Sequence, residues 1–146
     1  GLGAPHWNAN SRGVLSGITR DTSPKEIVRA IIEAVAYQTH DLFEAMKHDG
    51  LRPRIVRVDG GMVMNNWFSQ FLSDIVNVKV LRPKVQETTA LGAAFMAGLQ
   101  IGVYKSLKDI SKNWHLDKKF SPKMKNKSRS MLIKGWEKAV KRALIN

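Results

Sequence analysis

The chain has no cysteine among its 146 residues, which excludes disulfides and thiolate chemistry and fits a reducing cytoplasm. Acidic residues are scarce, 12 Asp and Glu against 24 Lys and Arg, for a net charge of +12. No apolar run is long enough to span a bilayer; the longest, Ala90 to Val103, is broken by Gln100. No signal-peptide pattern is visible, so neither secretion nor membrane residence is expected. The motif G-x-x-x-x-G-K-[ST] is absent, which excludes a P-loop nucleotide site. An initiator Met is absent too, as expected of a piece of a longer protein.

The excess positive charge is uneven. Residues 1–102 carry 11 basic and 9 acidic side chains, whereas residues 103–146 carry 13 and 3, or +10. This divides the chain into a nearly neutral part, 1–102, and a basic C-terminal extension, 103–146. Such an extension could bind nucleic acid or anionic lipid. Its charge is mostly Lys, and Trp114, Phe120 and Trp136 are too widely spaced for a base-stacking platform. A solvated surface is the better reading, and a nucleic-acid partner is not expected.

Residues 1–20, rich in Gly, Asn and Pro, read as loop with one short strand at Gly13–Ile18. Ser23, Pro24 and Glu26 then form a capping-box start. The spacing of Ile27, Ile31, Ala34, Val35, Leu42 and Ala45 predicts a helix over Pro24–His48, stopped at Gly50. Strands are expected at Arg54–Val58 and Val78–Leu81. A helix carrying Trp67, Phe68, Phe71, Leu72 and Ile75 lies between them. A third helix, capped by Thr88, should run to about Leu99. Its small residues, Ala90, Gly92, Ala93, Ala94, Ala97 and Gly98, suit close packing. Residues 111–128 look irregular, and a last helix is expected at Ser128–Leu144 with Leu132, Trp136 and Val140 inward. This order indicates an α/β fold with parallel strands layered with helices. Two strands are few for such a sheet, so the domain looks truncated at its N-terminal side. An open sheet edge would favour self-association, and a homo-oligomer is expected.

The most informative segment is Ile55-Val56-Arg57-Val58-Asp59-Gly60-Gly61, followed by Met62-Val63-Met64-Asn65-Asn66. A β-branched run meets a glycine pair, and a helical pattern follows at once. Ligands of parallel α/β sheets bind beyond the carboxyl ends of the strands. Gly60 and Gly61 can take positive φ or let a flat ligand lie against the backbone. Asn65 offers a donor and an acceptor on one amide, which suits a nucleobase edge. Taken alone, the segment reads more readily as a plain strand-to-helix turn with an N-capping Asn.

Other constellations are weaker. His40, Glu44 and His48 share a helix stripe with metal-ligand spacing, but it falls opposite the apolar face and should be exposed. His6 and His115 lie beside Trp7 and Trp114 with no activated nucleophile nearby, and read as packing or surface residues. Asp59 could bind Mg²⁺ or act as a base, yet a role in shaping the turn through backbone N–H groups is preferred. Arg82-Pro83 and Gln86-Glu87-Thr88-Thr89 flank a helix start, an anion site at most; capping by Thr88 is the better reading.

Motifs along the whole chain carry a resemblance. They are Gly1-Leu2-Gly3-Ala4-Pro5-His6-Trp7 with Arg12-Gly13, and Glu33-Ala34-Val35-Ala36-Tyr37-Gln38-Thr39. Further on come Arg57-Val58-Asp59-Gly60-Gly61 with Asn65-Asn66, Glu87-Thr88-Thr89-Ala90-Leu91-Gly92-Ala93-Ala94, and Gly135-Trp136 with Ala139-Val140-Lys141-Arg142-Ala143. In combination the chain resembles the C-terminal part of the glycerol kinases, within the sugar-kinase family. The resemblance implies a partial ribonuclease H-like, actin-like ATPase domain. It implies ATP-dependent phosphorylation of glycerol to glycerol 3-phosphate with Mg²⁺, ATP and ADP being the partners. Carried over residue by residue, it places the adenosine of the nucleotide against Gly61 and Asn65, with Gly60 as turn partner. This reverses the preference for a plain turn. The family's glycerol-binding residues, catalytic Asp and phosphate loops would lie upstream of Gly1. No catalytic or metal residue is therefore assigned, and the chain alone is expected to be inactive. Lys residues at 118–127 depart from the family's charge. The alternatives are a kinase of the same family acting on another sugar or polyol, a basic nucleic-acid-binding module, and an inactive remnant acting through oligomer contacts.

Overall fold

The computed structural model describes residues 1–145. Its elements are α1 (Pro24–His48), β1 (Ile55–Arg57), a 3-10 turn (Gly61–Met64), α2 (Asn66–Val76), β2 (Lys79–Pro83), α3 (Thr88–Gln100), α4 (Leu107–Ser111), β3 (Leu116–Phe120) and α5 (Asn126–Ile145). The sheet order is β1-β2-β3, with β1 parallel to β2 and β3 antiparallel to β2.

The predicted bounds of α1 are met. Ser23 accepts from the backbone N–H of Lys25, and Glu26 reaches back to the Ser23 backbone, so both halves of the capping box form. Gly50, at φ +86°, then turns the chain out of the helix. One face of α1 packs on α2, and α2 packs on the sheet. Ala36, Tyr37, Phe43, Phe68, Phe71, Leu72, Ile75, Val76 and Val80 form the buried core.

The extension joins this core. Phe120 of β3 is buried opposite Val80 of β2. On α5, Trp136 stacks on Tyr37 at 5.5 Å and donates its indole N–H to Asp41 at 2.7 Å. Asp74, at the end of α2, accepts from the backbone N–H of Met124 at 3.1 Å and so holds the chain entering α5. Ser11 of the N-terminal loop donates to the Ala143 carbonyl at 2.6 Å.

Four expectations are corrected. Residues 111–128 are not irregular, because β3 lies inside them; its Leu-Asp-Lys-Lys-Phe sequence hides a strand with only Phe120 buried. Gly13–Ile18 has no strand partner and is not a strand. Helix α3 starts from Glu87 without a side-chain cap, so Thr88 lies inside the helix and does not cap it. The small face of α3 packs closely only at Gly98, where an added Cβ would lie 2.9 Å from the Tyr104 ring; Ala90, Ala93, Ala94 and Ala97 are exposed. No helix among the described residues is long and apolar enough to cross a membrane.

Candidate functional site

The glycine turn lies beyond the carboxyl end of β1, beside the carboxyl end of the parallel β2. Val58 still donates to Leu81 of β2 at 3.1 Å, and Gly60 then donates to the Gln86 carbonyl at 3.3 Å. Gly60 sits at φ +84°, where an L side chain is strained. Gly61 has no such requirement. Above both glycines the space is open: a Cβ built at either meets nothing within 4 Å. The backbone there presents a bare surface to anything lying on it.

Asn65 closes the turn. Its Oδ1 accepts from the backbone N–H groups of Trp67, at 3.0 Å, and Phe68, at 3.3 Å, and so caps α2. The residue is exposed, and its Nδ2 makes no hydrogen bond among the described residues. The capping role therefore uses only the oxygen of the amide. The oxygen orients the side chain, leaving the two N–H donors of Nδ2 without a partner among the described residues.

The turn is pinned from below by groups the sequence did not single out. Val63 is buried, and its carbonyl accepts from Ser69 Oγ at 2.8 Å and from Arg82 Nη1 at 2.8 Å. The same Nη1 lies 3.2 Å from the Met64 carbonyl, while Arg82 Nε pairs with Asp117 of β3 at 2.7 Å. Arg82 is only 6 % exposed. Its Nε and Nη1 donors are committed to the protein, which makes its first role here structural. No local motif announces this role; it emerges only once β3 brings Asp117 beside β2.

The remaining candidates scatter. Asp59 is exposed and accepts no hydrogen bond among the described residues, so the turn-shaping role expected of it is not realised. His40 is buried, contrary to the exposure expected of its stripe, because α5 and the N-terminal loop cover that side of α1. Its Nδ1 has no hydrogen-bond partner, and its Nε2 lies 3.5 Å from Glu44. His48 is exposed, and no group of three metal-ligating side chains occurs among the described residues. His6 and His115 are exposed, while the neighbouring Trp114 takes the Arg57 guanidinium over its ring at 4.4 Å.

On the α1 side of Asn65 an open apolar cleft of about 420 Å³ is lined by Pro24, Lys25, Val28, Arg29, Ile32 and Trp67. The Arg29 guanidinium covers the Trp67 ring at 5.1 Å. Deeper in α1, burial and the adjacent Glu33 push the Tyr37 hydroxyl up from its ordinary pKa, so it stays a donor, to Glu33 at 3.0 Å.

Residues 1–101 match the C-terminal domain of the FGGY family of carbohydrate kinases. Among curated relatives, glycerol kinase 1 of Pseudomonas aeruginosa is 55% identical over 142 residues, covering 97% of this chain and 29% of that protein. The glycerol kinase of Gluconobacter oxydans is 51% identical over 145 residues, or 99% of this chain and 28% of its own. The crystal structure of Plasmodium falciparum glycerol kinase with ADP superimposes with a TM-score of 0.84 at 39% identity, over 100% of this chain and 29% of that one. Ligand-bound xylulose kinase of Lactobacillus acidophilus gives 0.69 at 28% identity, over 90% of this chain and 26% of its own. The chain thus spans under a third of the length of the relatives it matches.

Proposed function

The chain belongs to the FGGY family of carbohydrate kinases, and from that premise we propose that it forms the adenosine side of the nucleotide site in a glycerol kinase. The enzyme would transfer the terminal phosphoryl group of ATP to glycerol, giving glycerol 3-phosphate and ADP. The observation that carries this is the open glycine surface beside the unpaired amide nitrogen of Asn65, at the carboxyl ends of two parallel strands. The flat purine rests on Gly60 and Gly61, and Asn65 Nδ2 donates to the nucleoside. Among the solved structures, 39% identity with a glycerol kinase against 28% with a xylulose kinase favours glycerol over another polyol, as do the curated glycerol kinases above 50%.

Phosphoryl transfer depends on positioning and on neutralising charge at the transferring group. This chain serves the first need by fixing one end of the nucleotide. The glycerol pocket, the base and the phosphate contacts belong to the share of the relatives' length that the chain does not match. Mg²⁺ would neutralise phosphate charge in the whole enzyme. The described residues offer no set of three donors for it, so none is assigned as its ligand. The same reading takes the whole enzyme to be cytoplasmic and homo-oligomeric, the latter supported by the open edge of β1.

A graft tests this. With this chain in place of the matching segment, the P. aeruginosa enzyme is expected to phosphorylate glycerol, while the chain alone forms no glycerol 3-phosphate. A folded graft without turnover, or turnover by the chain alone, would contradict the proposal.

A further inference from the structure

We propose that Arg82 is the positioning residue of the nucleotide turn, acting from beneath it without touching the ligand. This rests on the nucleotide reading of Gly60, Gly61 and Asn65. The 3-10 turn ends in carbonyls that its own backbone cannot satisfy. Two of them, of Val63 and Met64, converge on Arg82 Nη1, at 2.8 and 3.2 Å. The Val63 carbonyl also takes Ser69 Oγ, so α2 and β2 grip the same peptide from two sides. Met64 immediately precedes Asn65, and Gly61 begins the same four-residue turn. Fixing these carbonyls fixes both the bare glycine surface and the origin of the Asn65 side chain.

An arginine suits this place for a physical reason. Its planar fork reaches two carbonyls through one nitrogen while Nε holds a carboxylate in a different direction. Asp117 supplies that carboxylate, and with 41% of its side chain exposed it neutralises the charge of an arginine side chain that is only 7% exposed. The Phe120 ring, 5.7 Å from the guanidinium carbon, completes the enclosure. Strand β3, in the basic extension, contributes both Asp117 and Phe120. The extension thereby sets the shape of a turn whose sequence lies more than fifty residues upstream. A lysine keeps the charge but offers one ammonium that cannot make the three contacts together.

The test is nitrogen-15 NMR of the full 146-residue chain, titrated with ADP, on four proteins: wild type, Arg82→Lys, Asp117→Asn and Asp74→Asn. Asp74→Asn weakens an equally buried anchor at the other end of α2, far from the turn, and controls for general loss of stability. At a temperature where all four are folded, Arg82→Lys is expected to shift the free-state amide signals of Gly61 and Asn65. It should also weaken ADP binding by about tenfold, the scale of one charge-assisted hydrogen bond. Asp117→Asn should act in the same direction, less strongly, and remains informative if Arg82→Lys does not fold. Asp74→Asn should leave ADP affinity within about twofold of wild type. Affinity that tracks melting temperature across all variants, Asp74→Asn included, would overturn the proposal. So would unchanged turn signals and affinity in Arg82→Lys. A wild-type chain whose turn signals do not respond to ADP would instead overturn the nucleotide reading, and the positioning role with it.

Discussion

Asn65 carries two roles on one side chain, and they can be separated. An Asp at the same place accepts from the Trp67 and Phe68 N–H groups as well as Asn does, since the two are equivalent N-caps. It has no Nδ2 to donate. Asn65→Asp is therefore expected to keep the melting temperature and lose about tenfold in ADP affinity, the scale of one hydrogen bond to a buried polar group. Asn65→Ala loses both, with about 1 kcal/mol of stability. Calorimetry and thermal melts on the two variants check this; equal affinity for Asn65→Asp and wild type would show that Asn65 only caps. At this scale Gly60 and Asn65 were legible because each solves a local backbone problem that few residues solve. Arg82 and His40 were not. Their roles are set by chain that arrives from far away: β3 for Arg82, and α5 with the N-terminal loop for His40.

Among the elements, α1 was read to its ends because its start and stop are both chemical signals. The Ser23 hydroxyl and backbone hold the Glu26 carboxyl below its ordinary pKa of 4.5. A carboxylate depressed on folding stabilises the fold above its unfolded pKa, and that contribution is lost as pH falls through the lower, folded value. Wild type should therefore lose more thermal stability than Glu26→Gln between pH 7 and pH 3, and Ser23→Ala should cost about 1 kcal/mol at neutral pH. Melts across that range check both; equal pH slopes would contradict the capping role. Strand β3 was missed for the opposite reason. It is an edge strand with both faces largely in water, so no alternation of apolar residues marks it. The small face of α3 shows that composition says a helix can pack closely, not that a partner is present.

For the whole molecule, the basic extension is integral to the sheet. It contributes β3 and lays α5 against Tyr37, although its charge made it look peripheral. The open edge of β1 and the exposed small face of α3 accord with a chain that spans 29% of the relatives it matches. The measurement that bears most directly on the account is calorimetric titration of ADP into the purified chain beside Gly61→Val. The space over Gly61 is open, so valine leaves the fold intact but occupies the surface assigned to the purine. Saturable binding by wild type, abolished in Gly61→Val at an unchanged melting temperature, is the expected result. Equal binding by both, or no binding by a wild-type chain that unfolds cooperatively, would contradict the account.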